Sequence, residues 1–342
     1  MVIKKVQLLL AATLSAVIVS CGGVNDSRDS SQSVTTNADC RTIAHQMGQT
    51  EICGTPQRVV ALGPDMLEML LALNVQPVGF ADYVRFHKGD YDNPKQQIPY
   101  LGGRIANPIA NVGWSASPSI EALVKAKPDL IISQDLNPEI YETLSKIAPT
   151  LFLKRFDTPG NLRAIATAVN QPKQAEQILA SVQQTVTQAR QDFASTVSSH
   201  PQVLMLLASG MSEMRLIDAT DNLCGSLVED LGFQLVYPSN FKPNQQTPSL
   251  PITLEELPKF SQADSVILLG FDFAANSQST TIDEFETSQV GSAKQRWEKN
   301  AIAQSLPASQ AGRTYFIPAY ACLGLPGPIG TQVYLDELQQ MR

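Results

Sequence analysis

Hydrophobic positions along this chain switch between two spacings. Short apolar runs occur at 58–62, 75–80, 128–133, 150–153, 203–207, 214–217, 233–236, 265–269 and 314–318. They are rich in Val, Ile and Leu and bounded by Gly, Pro, Asn or Asp, which predicts buried strands. Between them, 66–73, 141–147, 223–231, 254–257, 297–305 and 329–341 carry apolar residues at three- and four-residue steps, which predicts helices. A further helix is predicted to start at 117–121, where Ser117 supplies a cap, Pro118 suits the first turn and Glu121 meets the positive end. Strand–helix alternation of this kind implies parallel sheets with helical crossovers. Ahead of them, 41–45 and 50–53 read as a hairpin around a turn containing Gly48.

One helical pattern is longer than the rest. From 174 to 197 there is no Gly or Pro, and Ala175, Ile178, Leu179, Val182, Val186, Ala189 and Phe193 keep helical spacing. Such a helix extends ~36 Å at 1.5 Å per residue, the width of a domain. It is predicted to bridge two lobes. The fold class expected is therefore α/β, with two Rossmann-like lobes joined by a single long helix: an N-terminal lobe over 40–172, the bridge over 173–198 and a C-terminal lobe over 199–342. The two halves share a plan without a visible sequence repeat.

The N-terminus has a different pattern. Lys4 and Lys5 precede an apolar run, 6–19, too short to span a bilayer, which needs ~20 residues. That is a secretory signal over 1–20. Its boundary, Ile18-Val19-Ser20-Cys21, resembles the bacterial lipobox, so Cys21 is the expected lipidation site and the mature chain is expected to be exported and anchored to a membrane on its periplasmic or extracellular side. Residues 21–39 are mostly Ser, Thr, Asn, Asp and Gly, a tether with too little apolar surface to fold.

Charge and composition narrow the chemistry. Net charge is −7, and losing residues 1–20, which carry two lysines and no acid, makes it −9. An acidic chain without a basic run argues against nucleic acid as a partner. With Cys21 assigned to lipid, Cys40, Cys53, Cys224 and Cys322 remain, an even number in an exported protein. Three pairings are conceivable; the hairpin flanked by Cys40 and Cys53 favours that pair, leaving Cys224 with Cys322. Zinc binding fails on spacing: there is no CxxC, and His45, His87 and His200 are scattered. No GxSxG elbow or phosphate-binding glycine loop occurs, so no enzyme and no cofactor is expected.

Three segments carry a family resemblance: 58–62 with 67–79; Val112-Gly113, Pro118 to Leu123 and Lys127 to Ile132; and Trp297 to Asn300, Leu306 to Ala308 and Ala311 to Tyr315. In this order they resemble the iron–siderophore substrate-binding proteins of ABC importers, a family that includes ferrichrome-, ferric citrate- and vitamin B12-binding members. The resemblance implies a class III periplasmic binding protein fold, a ferric siderophore held in the cleft between lobes, and a monomer that delivers it to an ABC permease and ATPase. It also implies one docking glutamate per lobe, matching Glu121 and Glu255, with Glu256 a rival for the second. Other cargo on the same fold (ferric citrate, a corrinoid, haem) and a non-transport surface lipoprotein are the alternatives.

Ligands of open α/β sheets sit beyond the carboxyl ends of the strands. A ferric chelate offers anionic oxygens on a bulky body, which arginine forks and aromatic faces suit. The candidate cations are Arg85, Arg104 and Arg215. The candidate walls are Tyr83, Trp114, Tyr237, Phe271, Trp297 and Tyr320, with Asp65, Ser115 and Gln134 as polar contacts in the same loops. In ferrichrome-binding relatives an Arg follows the Val-Gly pair. Here Trp114, Ser115 and Ala116 follow it, so Arg104 is the expected substitute.

Overall fold

The computed structural model describes residues 39–84, 87–134, 138–208, 214–220, 222–239, 241, 250–271 and 281–342. The signal, Cys21, nearly all of the tether and Arg85 lie outside the described residues. The described residues begin with a hairpin, β1 (Cys40–His45) and β2 (Gly48–Cys53), closed at its base by the Cys40–Cys53 disulfide. Arg41 binds the hairpin to the first lobe by donating to the carbonyls of Thr167 and Ala168, each at 2.6 Å.

The first lobe runs β3 (Val59–Leu62), α1 (Pro64–Ala72), β4 (Gly79–Asp82), α2 (Pro94–Gln97), β5 (Ala110–Trp114), β6 (Ser117–Pro118), α3 (Ile120–Ala126), β7 (Leu130–Gln134), α4 (Tyr141–Ser145), β8 (Thr150–Leu153) and α5 (Thr158–Ala168). Its sheet has the order β6-β5-β4-β3-β7-β8, parallel except for the edge strand β6. β3, β7 and β8 are buried at every position because helices cover both faces, so these strands show no alternation.

α6 (Pro172–Ser199) then crosses to the second lobe. Its 28 residues span about 42 Å at 1.5 Å per residue. Ile178 and Leu179 pack on the first lobe's core, whereas Val186, Phe193 and Val197 pack on the second's, so one helix belongs to both. The second lobe comprises β9 (Gln202–Ala208), β10 (Met214–Leu216), α7 (Leu223–Asp230), β11 (Gln234–Leu235), β12 (Pro251–Ile252), β13 (Ser265–Gly270), α8 (Ile282–Lys299), α9 (Ala301–Gln304), α10 (Pro307–Gln310), β14 (Thr314–Pro318) and α11 (Pro328–Leu338). Its sheet has the order β12-β10-β9-β13-β14, with β11 also on β9. The Cys224–Cys322 disulfide ties the start of α7 to the 320–324 turn that follows β14.

The lobes repeat one device. Asp129 accepts from the backbone of Gln57 and Arg58 at 2.8 Å, while its own N–H donates to Arg58 O. Asp264 accepts from Gln202 N at 2.9 Å, and its N–H donates to Gln202 O. Each aspartate thus aligns the start of one buried strand with its neighbour.

The structure corrects several sequence expectations. The α3 cap is Ser119, whose hydroxyl accepts from Ala122 N, not Ser117. Ser117 and Pro118 instead form the edge strand, where proline's missing donor costs nothing. The strand expected from 75 begins at Gly79, since 74–78 form the turn out of α1. α5, capped by Asp157, was not anticipated. The helix expected to start at Trp297 is the end of α8, which begins at Ile282 behind a Thr281–Glu284 capping box.

Candidate functional site

The carboxyl ends of β3, β4, β5, β7 and β8 gather a polar cluster from distant parts of the first lobe. Asp65 opens α1 and is buried. Its Oδ1 accepts from the Tyr83 hydroxyl at 2.5 Å and from Gln134 Nε2 at 2.9 Å. Gly63 makes this packing feasible: its φ is +129°, and a Cβ there would strike Asp65 Oδ1. Burial pushes the Asp65 carboxyl up to about 6, against the pull of the Tyr83 hydroxyl, nearby backbone N–H groups and the Arg155 charge.

Next to it, Asp82 ends β4. Both of its oxygens accept from the Tyr320 hydroxyl, each at 3.1 Å, so this carboxyl joins the two lobes. Burial raises Asp82 to about 7, opposed by Val84 N–H and Tyr320. Asp82 O also receives Ser115 N–H at 2.9 Å. Trp114 Nε1 donates to Tyr83 O at 2.8 Å, which fixes the indole while leaving it 38% exposed at the rim.

Not every expected residue reaches this place. Arg104 does not: its carbonyl accepts from Gln76 Nε2 at 3.1 Å, and Gln76 lies in the α1–β4 turn at the opposite end of the sheet. The crossover between β4 and β5 descends to that end before β5 can start, carrying Arg104 with it. Trp297 is also misplaced. It is 0% exposed in the second lobe's core, with Nε1 donating to Ser309 Oγ at 3.1 Å. Tyr237 follows β11, which pairs with the first residues of β9, so it stands below the strand tips, half-buried and stacked on Phe241 at 5.1 Å. Arg215 pairs with Leu207, near the tip of β9, with an exposed side chain between buried Met214 and Leu216. Phe271 directly follows β13 at the tip. Tyr320 is buried at the junction, stacked on Tyr100 at 5.8 Å and edge-on to Phe285 at 5.5 Å.

One cation escaped the sequence reading. Leu153, the last residue of β8, is level with Gln134, and Arg155 follows two residues later on the cluster's side of the sheet. It is exposed, with its guanidinium 4.5 Å from the Phe156 ring. The available signal was its position just beyond a predicted strand end at 153.

A family model described as periplasmic binding protein matches residues 59–321, through both sheets and the helix between them. The chain belongs to the periplasmic binding protein family. This periplasmic binding protein is 26% identical over 342 residues to a probable siderophore-binding lipoprotein of Bacillus subtilis (strain 168), covering 98% of this chain and 97% of that one. It is also 26% identical to an Fe(3+)-citrate-binding protein of the same organism, over 91% and 89% of the two chains. Among solved structures, Staphylococcus aureus SirA complexed with staphyloferrin B superposes with a TM-score of 0.66 at 22% identity, covering 88% of this chain and 98% of that one. These likenesses establish a class III binding-protein fold of two lobes on one helix, and a binder of solutes rather than an enzyme.

The buried acids make a pH prediction. Asp65 and Asp82 hold protons more tightly folded, at about 6 and about 7, than the ordinary carboxylate near 3.8. Between those values the native state binds more protons than the unfolded chain, so their contribution falls as pH rises. Denaturant unfolding is expected to show lower stability from these groups at pH 8 than at pH 5, and Asp82→Asn should flatten that slope.

Proposed function

We propose that this periplasmic binding protein captures a ferric siderophore between its lobes and hands it to an ABC permease, while a lipid on Cys21 holds it at the membrane surface. The observation that carries the reading is the meeting of strand tips from both lobes around the Asp82–Tyr320 bond, flanked by Trp114 and Arg155. Such a cleft offers a flat aromatic face and a guanidinium fork to a chelate whose outer oxygens are anionic. The relatives' names, one for a siderophore and one for Fe(3+)-citrate, support an iron chelate as cargo. In this reading Tyr83, Gln134 and Ser115 are contacts of the first lobe, Arg215 and Phe271 those of the second. Asp65 positions Tyr83 and Gln134 and does not itself touch cargo.

Delivery would use the outer faces. Glu121 is exposed on α3, beside Ile120 and Val124, which are 37% and 56% exposed, an apolar pair one turn apart around a carboxylate. In the second lobe Glu255 is exposed, whereas Glu256 is held by Lys259 Nζ at 3.0 Å and Thr253 N at 3.2 Å. That favours Glu255 over its neighbour for meeting a cationic partner.

Three outcomes test this reading. The chain has two tryptophans, and Trp297 is sealed in a core. Adding a ferric siderophore should therefore quench fluorescence through Trp114, and Trp114→Phe should remove the response; a flat titration across hydroxamate, catecholate and citrate complexes argues against iron cargo. A charged hydrogen bond contributes about 1.5–3 kcal/mol, so Arg155→Ala should weaken binding roughly ten- to hundredfold, with Arg104→Ala near wild type. Reversing Glu121 and Glu255 together should leave the binding constant unchanged while uptake in cells fails.

A further inference from the structure

The lobe junction contains a third buried acid, beside Asp65 and Asp82. Glu68 lies in the middle of α1, in the first lobe, and is 0% exposed. No arginine, lysine or histidine bonds to it among the described residues. Its carboxylate instead reaches into the second lobe. Oε2 accepts from Gly330 N at 2.9 Å, in the first turn of α11, and Oε1 lies against Gly327, where a Cβ would collide with it. The 11-residue α11 is thus capped by a side chain from the other lobe.

The surroundings explain why one directional bond matters. Phe285, Tyr320, Leu325 and Ile329 of the second lobe pack into the first lobe's core. Apolar contacts of this kind hold surfaces together without setting an angle between them. Beside α6 the packing opens into a pocket of about 390 Å³ between Phe156, Leu179, Val182, Leu223 and the start of α11. Among the described residues, three polar contacts cross the junction with defined geometry: Glu68 to α11, Tyr320 to Asp82, and Thr158 Oγ1 to Pro326 O at 3.1 Å. Of these only Glu68 grips the end of a helix, so it transmits the orientation of the whole of α11.

We infer that Glu68 is a positioning residue that latches the second lobe to the first and presets the width of the cleft. The part of this inference concerning cargo affinity rests on the function proposed above; the part concerning lobe geometry does not.

Double electron–electron resonance tests it in the full-length chain carrying Glu142→Cys and Gln295→Cys for spin labels, with Cys21→Ser so that position 21 takes neither lipid nor label. The latch predicts one narrow inter-lobe distance, unchanged by ferric citrate or a ferric catecholate. Glu68→Leu should broaden it and weaken chelate binding by about tenfold or more. Glu68→Gln keeps an acceptor oxygen and should restore the narrow distance. If Glu68→Leu does not fold, Gly327→Ala, which pushes on the carboxylate from the other side, should broaden the distance equally. A folded Glu68→Leu or Gly327→Ala protein with the wild-type distance overturns the latch, whatever the chelate does. Broadening in a protein that binds no ferric chelate leaves the latch standing and defeats the cargo reading instead.

Discussion

A parallel sheet must bury both faces, because every connection between its strands returns over one face or the other as a helix. In this protein that requirement is met twice, and the rest follows from it. The loops that leave the carboxyl ends of β3, β4, β5 and β7 all emerge on one edge, so Asp65, Tyr83, Trp114 and Gln134 become neighbours although up to 69 residues separate them. The tips of β9 and β13 do the same for the second lobe. Polar side chains collect at these edges because the backbone elsewhere is already committed to the ladder and its covering helices.

What joins the lobes is more than the long helix. α6 contributes to both cores, yet only Ala175, Ala189 and Phe193 along it are buried. The 320–329 segment also crosses the junction, bringing Tyr320, Leu325 and Ile329 into the first lobe's core. Residues 39–342 accordingly form one compact unit. Within it the junction is unusually acidic: Asp65, Glu68 and Asp82 are all buried, and burial raises each carboxyl, with Asp65 adding to the effect on the other two. Isolated buried carboxylates are costly. Here each accepts hydrogen bonds from hydroxyls, amides or a helix end, a pattern suited to fixing geometry rather than to adding stability.

The same features set the limits of reading the chain unaided. The strands at 58–62, 150–153, 265–269 and 314–318 were legible because short runs of aliphatic, β-branched and aromatic residues between breakers fit buried strands. The long helix was legible from its uninterrupted period, and it extends two residues further at each end than expected. α5 was less legible, since its apolar face is short and broken by Gly160 and Asn161. Arg104 and Trp297 were misjudged for a shared reason. A loop residue's position in sequence does not say at which end of the sheet it lies, and an aromatic at a helix boundary is equally at home in a core.

The sequence by itself determined the class of fold, the alternation that makes two mostly parallel sheets, the residues 174–197 that bridge them, and the resemblance that points to a binding protein of an importer. These are properties of local period and ordered motifs, which a linear chain displays directly. Only the tertiary structure decided that Arg155 stands near Asp65 at the strand tips and Arg104 does not, that Tyr320 serves the junction, and that Glu68 caps a helix 262 residues away. Contacts of that range depend on how whole lobes pack, and no window of sequence contains both partners.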